Sequence, residues 1–369
     1  MDTVNSIGFA LDPANVPSFL LDWELTKLCN LDCSYCTVGI NGGHDNTTKH
    51  PPLADCLQSI DFMYEYVDQY MLYKKPTQRK VVLNVYGGES LFHPDIVEIL
   101  RECHSRYEHY SDRWDLTITC TTNAVVGARR WAEIVPMVDE FTVSYHPENL
   151  PKQRQQYLDN LMYLQAQGKR FKAIVMMHNQ PELFADAESV VAFCQDHNMR
   201  YLAKPLDNTS ERWAYTPEQF ARITEQPVTF VKKVSSINEG RACCGGRRLS
   251  LNGDLRSNVG FVARQGFTGW SCSVNWFFLF VRQLDGAVFT NKDCRMSTTG
   301  KEEPLGNIAE AKKIISKLQT QLETNTMPII SCKKAICRCG FCAPKAESEQ
   351  DFRALIKRNV VVDVFQKEC

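Results

Sequence analysis

An excess of charge of either sign is missing from this 369-residue chain: 42 Lys plus Arg stand against 43 Asp plus Glu, a formal net charge of -1. With no positive excess there is no global field to hold a nucleic acid or an anionic membrane surface. Basic pairs such as Arg129-Arg130, Lys232-Lys233 and Arg247-Arg248 are scattered and read as solvated surface. Long hydrophobic runs are missing too. The most apolar stretch, 276–281, is six residues long, against the roughly 20 needed to span a bilayer. The first 16 residues carry Asp2, Asp12 and Pro13 and show no basic region followed by an apolar run, so they do not form a secretory signal. Internal repeats and low-complexity tracts are absent. Together these absences exclude membrane-spanning, fibrous and disordered classes, and the expected location is cytoplasmic.

Cysteine is what the sequence has in excess, with 16 residues. A chain of this length, with 44% hydrophobic residues, buries a core of its own and has little need of disulfide staples. In a reducing compartment, clustered thiols are metal ligands or redox groups more often than bridges.

Apolar, β-branched runs alternate with amphipathic stretches through the first two-thirds of the chain, the pattern of repeated βα units. The expected strands are 19–26, 80–86, 116–121, 141–145, 171–177 and 200–205, with helices at 54–73, 94–109, 128–137, 152–168 and 181–198. After Asp207 the rhythm changes, and a cysteine- and glycine-rich region begins near Cys243. There, 276–282 and 287–290 flank Leu284-Asp285-Gly286 and read as a hairpin, and 308–322 reads as one helix. The fold class is α/β: a partial (β/α)6 TIM-like barrel over 18–207, then a small cysteine-rich α+β module over 243–345. Residues 1–17 are an N-terminal extension, 208–242 a linker and 346–369 a tail.

Cys29, Cys33 and Cys36 form a C-x3-C-x2-C triplet directly after the first expected strand. In a barrel of βα units, chemistry belongs on the loops at the C-terminal ends of the strands. Three thiolates there are enough to hold three irons of a cubane, whereas a closed cluster takes four cysteines. Taken alone, the triplet also suits part of a zinc site. Tyr86-Gly87-Gly88-Glu89 closes the second strand, Thr121-Thr122-Asn123-Ala124 the third, and Ser144 lies near the end of the fourth.

Over 19–205 this set resembles the radical S-adenosylmethionine (SAM) enzymes. The resemblance implies a 4Fe-4S cluster on Cys29, Cys33 and Cys36 whose open iron chelates SAM. It implies glycines at 87 and 88 that let backbone approach the methionyl group, with Glu89 receiving its ammonium. Asn123 and Ser144 would contact the ribose or methionine, and Tyr35 would lie over the adenine. The implied reaction is reductive cleavage of SAM to a 5'-deoxyadenosyl radical that abstracts a substrate hydrogen, with the electron supplied by a donor such as flavodoxin or ferredoxin.

Eight further cysteines follow the barrel: Cys243, Cys244, Cys272, Cys294, Cys332, Cys337, Cys339 and Cys342. Their region resembles the SPASM and twitch extensions, which implies one or two auxiliary 4Fe-4S clusters. The match rests on the spacing from Cys272 to Gly286 and on Leu305-Gly306-Asn307-Ile308. Asn291 stands where that pattern has a cysteine. Antiparallel pairing of the hairpin is expected to bring Cys272 and Cys294 together at its base. Structural zinc is the competing reading of this set. Cys56, Cys103 and Cys194 read as buried small hydrophobes.

Many SPASM enzymes modify peptides, so a peptide or protein substrate is the leading implication, with a small-molecule intermediate as the alternative. A non-catalytic zinc or iron-sulfur module is the alternative from another class. The triplet begins 28 residues into the chain, which leaves no expected room for a leader-recognition domain. Sulfatase-maturing relatives place an aspartate base two residues after the fourth-strand serine, where this chain has His146, and that activity is therefore disfavoured. His146 is a candidate proton carrier, its ordinary pKa suiting that work. His178 is a similar candidate, and Cys120, at a strand end, reads as core packing, with a radical-quenching thiol as the alternative.

Overall fold

A computed structural model describes residues 6–7, 19–36, 48–74, 79–206, 214–225, 269–272, 274–276, 278–291, 303–324, 326–332, 345–346 and 348–350. Cys243, Cys244, Cys294, Cys337, Cys339 and Cys342 lie outside the described residues.

The elements in chain order are β1 (Ser6–Ile7), β2 (Phe19–Thr26), α1 (Leu53–Lys74), β3 (Lys80–Gly87), α2 (Ile96–Tyr107), β4 (Asp115–Thr122), α3 (Ala128–Ile134), β5 (Glu140–Tyr145), α4 (Pro151–Ala166), β6 (Arg170–Met177), α5 (Pro181–Asp196), β7 (Tyr201–Pro205) and α6 (Pro217–Glu225). Then come β8 (Ser271–Cys272), β9 (Phe278–Arg282), β10 (Ala287–Phe289), β11 (Gly306–Asn307), α7 (Ala311–Glu323), β12 (Ile330–Ser331) and β13 (Lys345–Ala346). The six expected βα strands are β2 to β7, paired in parallel in chain order.

The helices form where apolar residues recur at helical spacing. In α2, Ile96, Ile99, Leu100 and Cys103 make one buried stripe, each large aliphatic chain contributing about 1.5–3 kcal/mol on burial. The strands alternate instead. Leu21, Trp23 and Leu25 of β2, Val81, Leu83 and Val85 of β3, and Phe141, Val143 and Tyr145 of β5 are fully buried beneath the helices. Asp22, Glu24, Asn84, Thr142 and Ser144, between them, lie on the opposite, inward face and are polar. Asn84 Nδ2 donates to Asp22 Oδ1 (2.7 Å), and Thr119 Oγ1 donates to Asn84 Oδ1 (3.2 Å), making a ladder across three strands. Strands of a fully packed parallel sheet read as continuous apolar runs, so this alternation marks a polar barrel interior.

The C-terminal region departs from the expected division. The Asp-Gly hairpin forms, with Ala287 opposite Arg282 and Gly286 at φ +67°. Its first strand pairs in parallel with β2, however, so β9, β10 and β11 extend the barrel sheet instead of belonging to a separate module. Gln283 secures the junction: its Oε1 accepts from Trp23 Nε1 (2.9 Å) and Ser59 Oγ (2.6 Å), and its backbone N donates to Glu24 O (3.0 Å). Helix α7 forms one turn later than expected, after a 3-10 turn at Ile308–Glu310. It then reaches α1, where Tyr73 OH donates to Glu323 Oε1 (2.6 Å) and Gln319 Nε2 to Gln69 Oε1 (3.0 Å). Cys272 lies in the second sheet, of order β1-β13-β8-β12, opposite Ile330 and Lys345. Both Cys272 and Cys332 are buried. No helix among the described residues is long and apolar enough to cross a membrane.

Candidate active site

The loop leaving β2 is clamped by the end of β3. Gly88 N donates to Thr26 O and Glu89 N to Leu28 O, both at 2.8 Å. A Cβ on Gly87 would sit 2.1 Å from Thr26 O, and one on Gly88 2.5 Å from the carbonyl oxygens of Lys27 and Leu28. No side chain fits either gap. The family resemblance implies glycines that make room for a bound methionyl group; here the chain's own backbone, on its way to Cys29, takes up the space.

Cys29, Cys33 and Cys36 form no disulfide, and Cys36 N donates to Cys33 O (3.0 Å), closing a turn between them. Burial pushes the Cys29 thiol up to about 11 and the Cys33 thiol up to about 12. The Cys29 sulfur receives Leu31 N at 3.4 Å and Asn123 Nδ2 at 3.8 Å. Among the described residues, no group of three His, Cys, Asp or Glu side chains forms a single-ion site.

Glu89 and Asn123 join three strand ends. The Glu89 carboxylate, 1% exposed, accepts from Leu91 N (3.0 Å), Thr122 Oγ1 (2.8 Å) and Asn123 N (2.6 Å). Burial outweighs these donors and raises it to about 7. A carboxylate has about four acceptor positions, so three donors leave one for a ligand. Asn123 Nδ2 also donates to Asn30 Oδ1 (2.8 Å), and Asn30 Nδ2 to Val125 O (2.8 Å). Nothing in the motif spacing singles out Asn30. Ala124 has φ +54°, in the left-handed region that favours the glycine of the T-N-G turn it resembles. Its carbonyl is held by Asn160 Nδ2 at 2.8 Å.

Across the mouth, Tyr35 OH and His146 Nδ1 are 2.7 Å apart. Burial, then the Lys204 charge, lowers His146 to about 4, so it is neutral near pH 7 and not the near-neutral proton carrier its type suggests. Ser144 is half-buried on the inner face of β5, between outward-packed Val143 and Tyr145. Cys120 shares the buried outer face of β4 with Ile118, lies 3.5 Å from Ser90 Oγ, and packs in the core. Cys56, Cys103 and Cys194 are likewise buried there.

His178 is 1% exposed, with Nε2 3.2 Å from Glu148 Oε1. Glu148 also accepts from Ser34 N (2.7 Å) and Ser34 Oγ (2.6 Å). Sequence reasoning missed Glu148. The signal was the two-residue period Ser144, His146, Glu148, which carries the inner face of β5 into its loop.

No protein-family model matches the sequence, and no curated protein matches it. Solved structures do. A polyhistidine-tagged anSMEcpe with bound AdoMet superposes with a TM-score of 0.51 at 12% identity, covering 96% of this chain and 96% of that one. Native anSMEcpe with bound AdoMet gives 0.50 at 12% identity, covering 95% of this chain and 99% of that one. The fold is that of radical SAM enzymes. Within the radical SAM fold, the cysteine turn, the Gly87-Gly88-Glu89 turn and the Asn123 turn sit at successive C-terminal strand ends of β2, β3 and β4.

Proposed function

We propose that the chain is a radical SAM enzyme. Cys29, Cys33 and Cys36 would hold a 4Fe-4S cluster, and the Gly87-to-Glu89 turn with Asn123 and Ser144 would receive SAM. The observation that carries this reading is three cysteines outside any disulfide on one loop, clamped by the Gly88 and Glu89 backbone N–H groups at the mouth of a polar barrel. The donor set fits: thiolates with N–H groups aimed at sulfur suit a cluster. When bound, the cluster and SAM supply one-electron cleavage of the sulfonium to methionine and a 5'-deoxyadenosyl radical.

The chain's own part is positional. Asn123 and Leu31 orient the Cys29 sulfur, and Glu89 offers one acceptor position to a cation while holding the Asn123 turn. Neutral His146 presents a hydrogen-bonding group beside the inner face of β5. Cys272 and Cys332, with the six cysteines outside the described residues, are proposed ligands of one or two auxiliary 4Fe-4S clusters. Cys272 is opposite Ile330 and so diagonal to Cys332 on one face of the small sheet.

A peptide or protein substrate is the reading the SPASM resemblance favours, with a small-molecule intermediate as the second; the electron donor is proposed to be a flavodoxin or ferredoxin. Sulfatase maturation stays disfavoured, because the sequence has His146 where sulfatase-maturing relatives place an aspartate. The test is anaerobic reconstitution followed by dithionite and SAM. Release of 5'-deoxyadenosine, abolished by Cys33→Ala, is the expected result. Undiminished release from that variant would refute the assignment.

A further inference from the structure

A carboxylate that the cluster chemistry does not call for sits at the centre of the barrel mouth. Glu148, in the loop after β5, accepts both the backbone N–H and the hydroxyl of Ser34, at 2.7 and 2.6 Å. Ser34 is the second residue of the Cys33-to-Cys36 turn. On its other side Glu148 meets His178 Nε2 at 3.2 Å, at the end of β6. His178 Nδ1 accepts from Gln180 N (3.1 Å), which fixes the ring with Nε2 toward Glu148. One carboxylate thus accepts two hydrogen bonds from the cysteine loop and meets the ring of His178 from the end of β6.

Those loops are not neighbours. The sheet runs β2-β3-β4-β5-β6, and strands spaced about 4.8 Å apart would put β2 and β6 roughly 19 Å apart in a flat sheet. Only closure of the sheet toward a barrel brings Ser34 and His178 to the same carboxylate. The charge is also not placed for the benefit of thiolates, since it helps to raise the Cys33 thiol. What Glu148 contributes is geometry. Ser34 lies on the exposed side of its turn, and both of its polar groups point to this one carboxylate.

We propose that Glu148 is a positioning residue for the cluster loop, holding the Cys33-to-Cys36 turn in its cluster-accepting orientation by tying Ser34 to the ends of β5 and β6. The proposal rests on the reading that the three cysteines hold a cluster. Charge-assisted hydrogen bonds are the stronger kind, so their loss should register in how firmly the loop keeps iron.

The experiment uses the full chain, reconstituted anaerobically, and measures the rate of iron release to a chelator and the change in the electron paramagnetic resonance spectrum of the reduced protein on adding SAM. Iron missing from Cys33→Ala defines the share held by the triplet. Glu148→Ala is expected to release that share about tenfold faster, the equivalent of one charged hydrogen bond, and to lose the wild-type spectral response to SAM. Glu148→Gln should fall between, because its amide can serve both Ser34 groups but carries no charge. Ser34→Ala, a change at an exposed position, should also speed release and remains informative if Glu148→Ala does not fold. Wild-type release and wild-type spectra in Glu148→Gln and Ser34→Ala would overturn the proposal and leave the cluster assignment standing. Full wild-type iron in Cys33→Ala would overturn the assignment itself.

Discussion

The Tyr35 hydroxyl lies 2.7 Å from His146 Nδ1, and the two rings are nearly parallel, 15° apart with centroids separated by 5.9 Å. This contact connects the cysteine loop with the end of β5 on the side of the mouth where Ser34 meets Glu148. It also gives Tyr35 a role within the protein, independent of any adenine above it. Tyr35→Phe should lower stability by about 0.5–1.5 kcal/mol, the net value of one hydrogen bond. Denaturant midpoints of the metal-free protein would measure this, and an unchanged midpoint would mean that the contact contributes nothing.

Gly87→Ala and Gly88→Ala should each be severe, costing at least the roughly 1–3 kcal/mol of an overpacked core, because the added methyl meets backbone and not a movable side chain. Gly127 is the control. It is the N-cap of α3 at φ -60° with nothing within 4 Å of the position a Cβ would take, so Gly127→Ala meets no clash and should cost no more than about 1 kcal/mol, that of an alanine at an N-cap. Thermal melting of the three variants, with iron content after reconstitution, separates a local clash from a general intolerance of alanine.

His146 should not gain a proton between pH 8 and pH 5 in the folded protein. Its folded pKa, about 4, lies below the ordinary 6.5. Between those values the unfolded chain binds the proton and the native state does not, so stability falls as pH drops from about 6.5 to 4, by at most about 1.4 kcal/mol per pH unit from this group. Following the imidazole resonances by NMR through that range checks the first statement. His146→Asn should flatten the stability profile.

Cys120→Ala should keep SAM cleavage while costing about 1 kcal/mol of stability through the lost packing of a small buried thiol. Cys33→Ala should abolish cleavage. Assaying 5'-deoxyadenosine and melting temperature side by side distinguishes them, and equal loss of cleavage would restore a chemical role to Cys120.

The six strands and the cysteine triplet were legible in the sequence because both are local: alternation with a two-residue period declares a strand, and thiols on one short loop need no long-range information to be recognised as a set. The glycines at 87 and 88 were legible as a motif but not as a reason. Their requirement comes from the carbonyls of Thr26, Lys27 and Leu28, on a strand end far earlier in the chain.

What the sequence determined by itself was composition, periodicity and spacing: an α/β chain with a thiol-bearing loop after its first barrel strand. Tertiary structure alone decided that the 278–307 strands extend the barrel sheet, that Cys120 faces the helices, and that Glu148 links Ser34 to His178. Each of these depends on which surfaces meet after the sheet curves, and curvature is set by the packing of all the strands and helices together. It also decided that His146 is neutral, because desolvation is a property of the surrounding atoms and not of the imidazole.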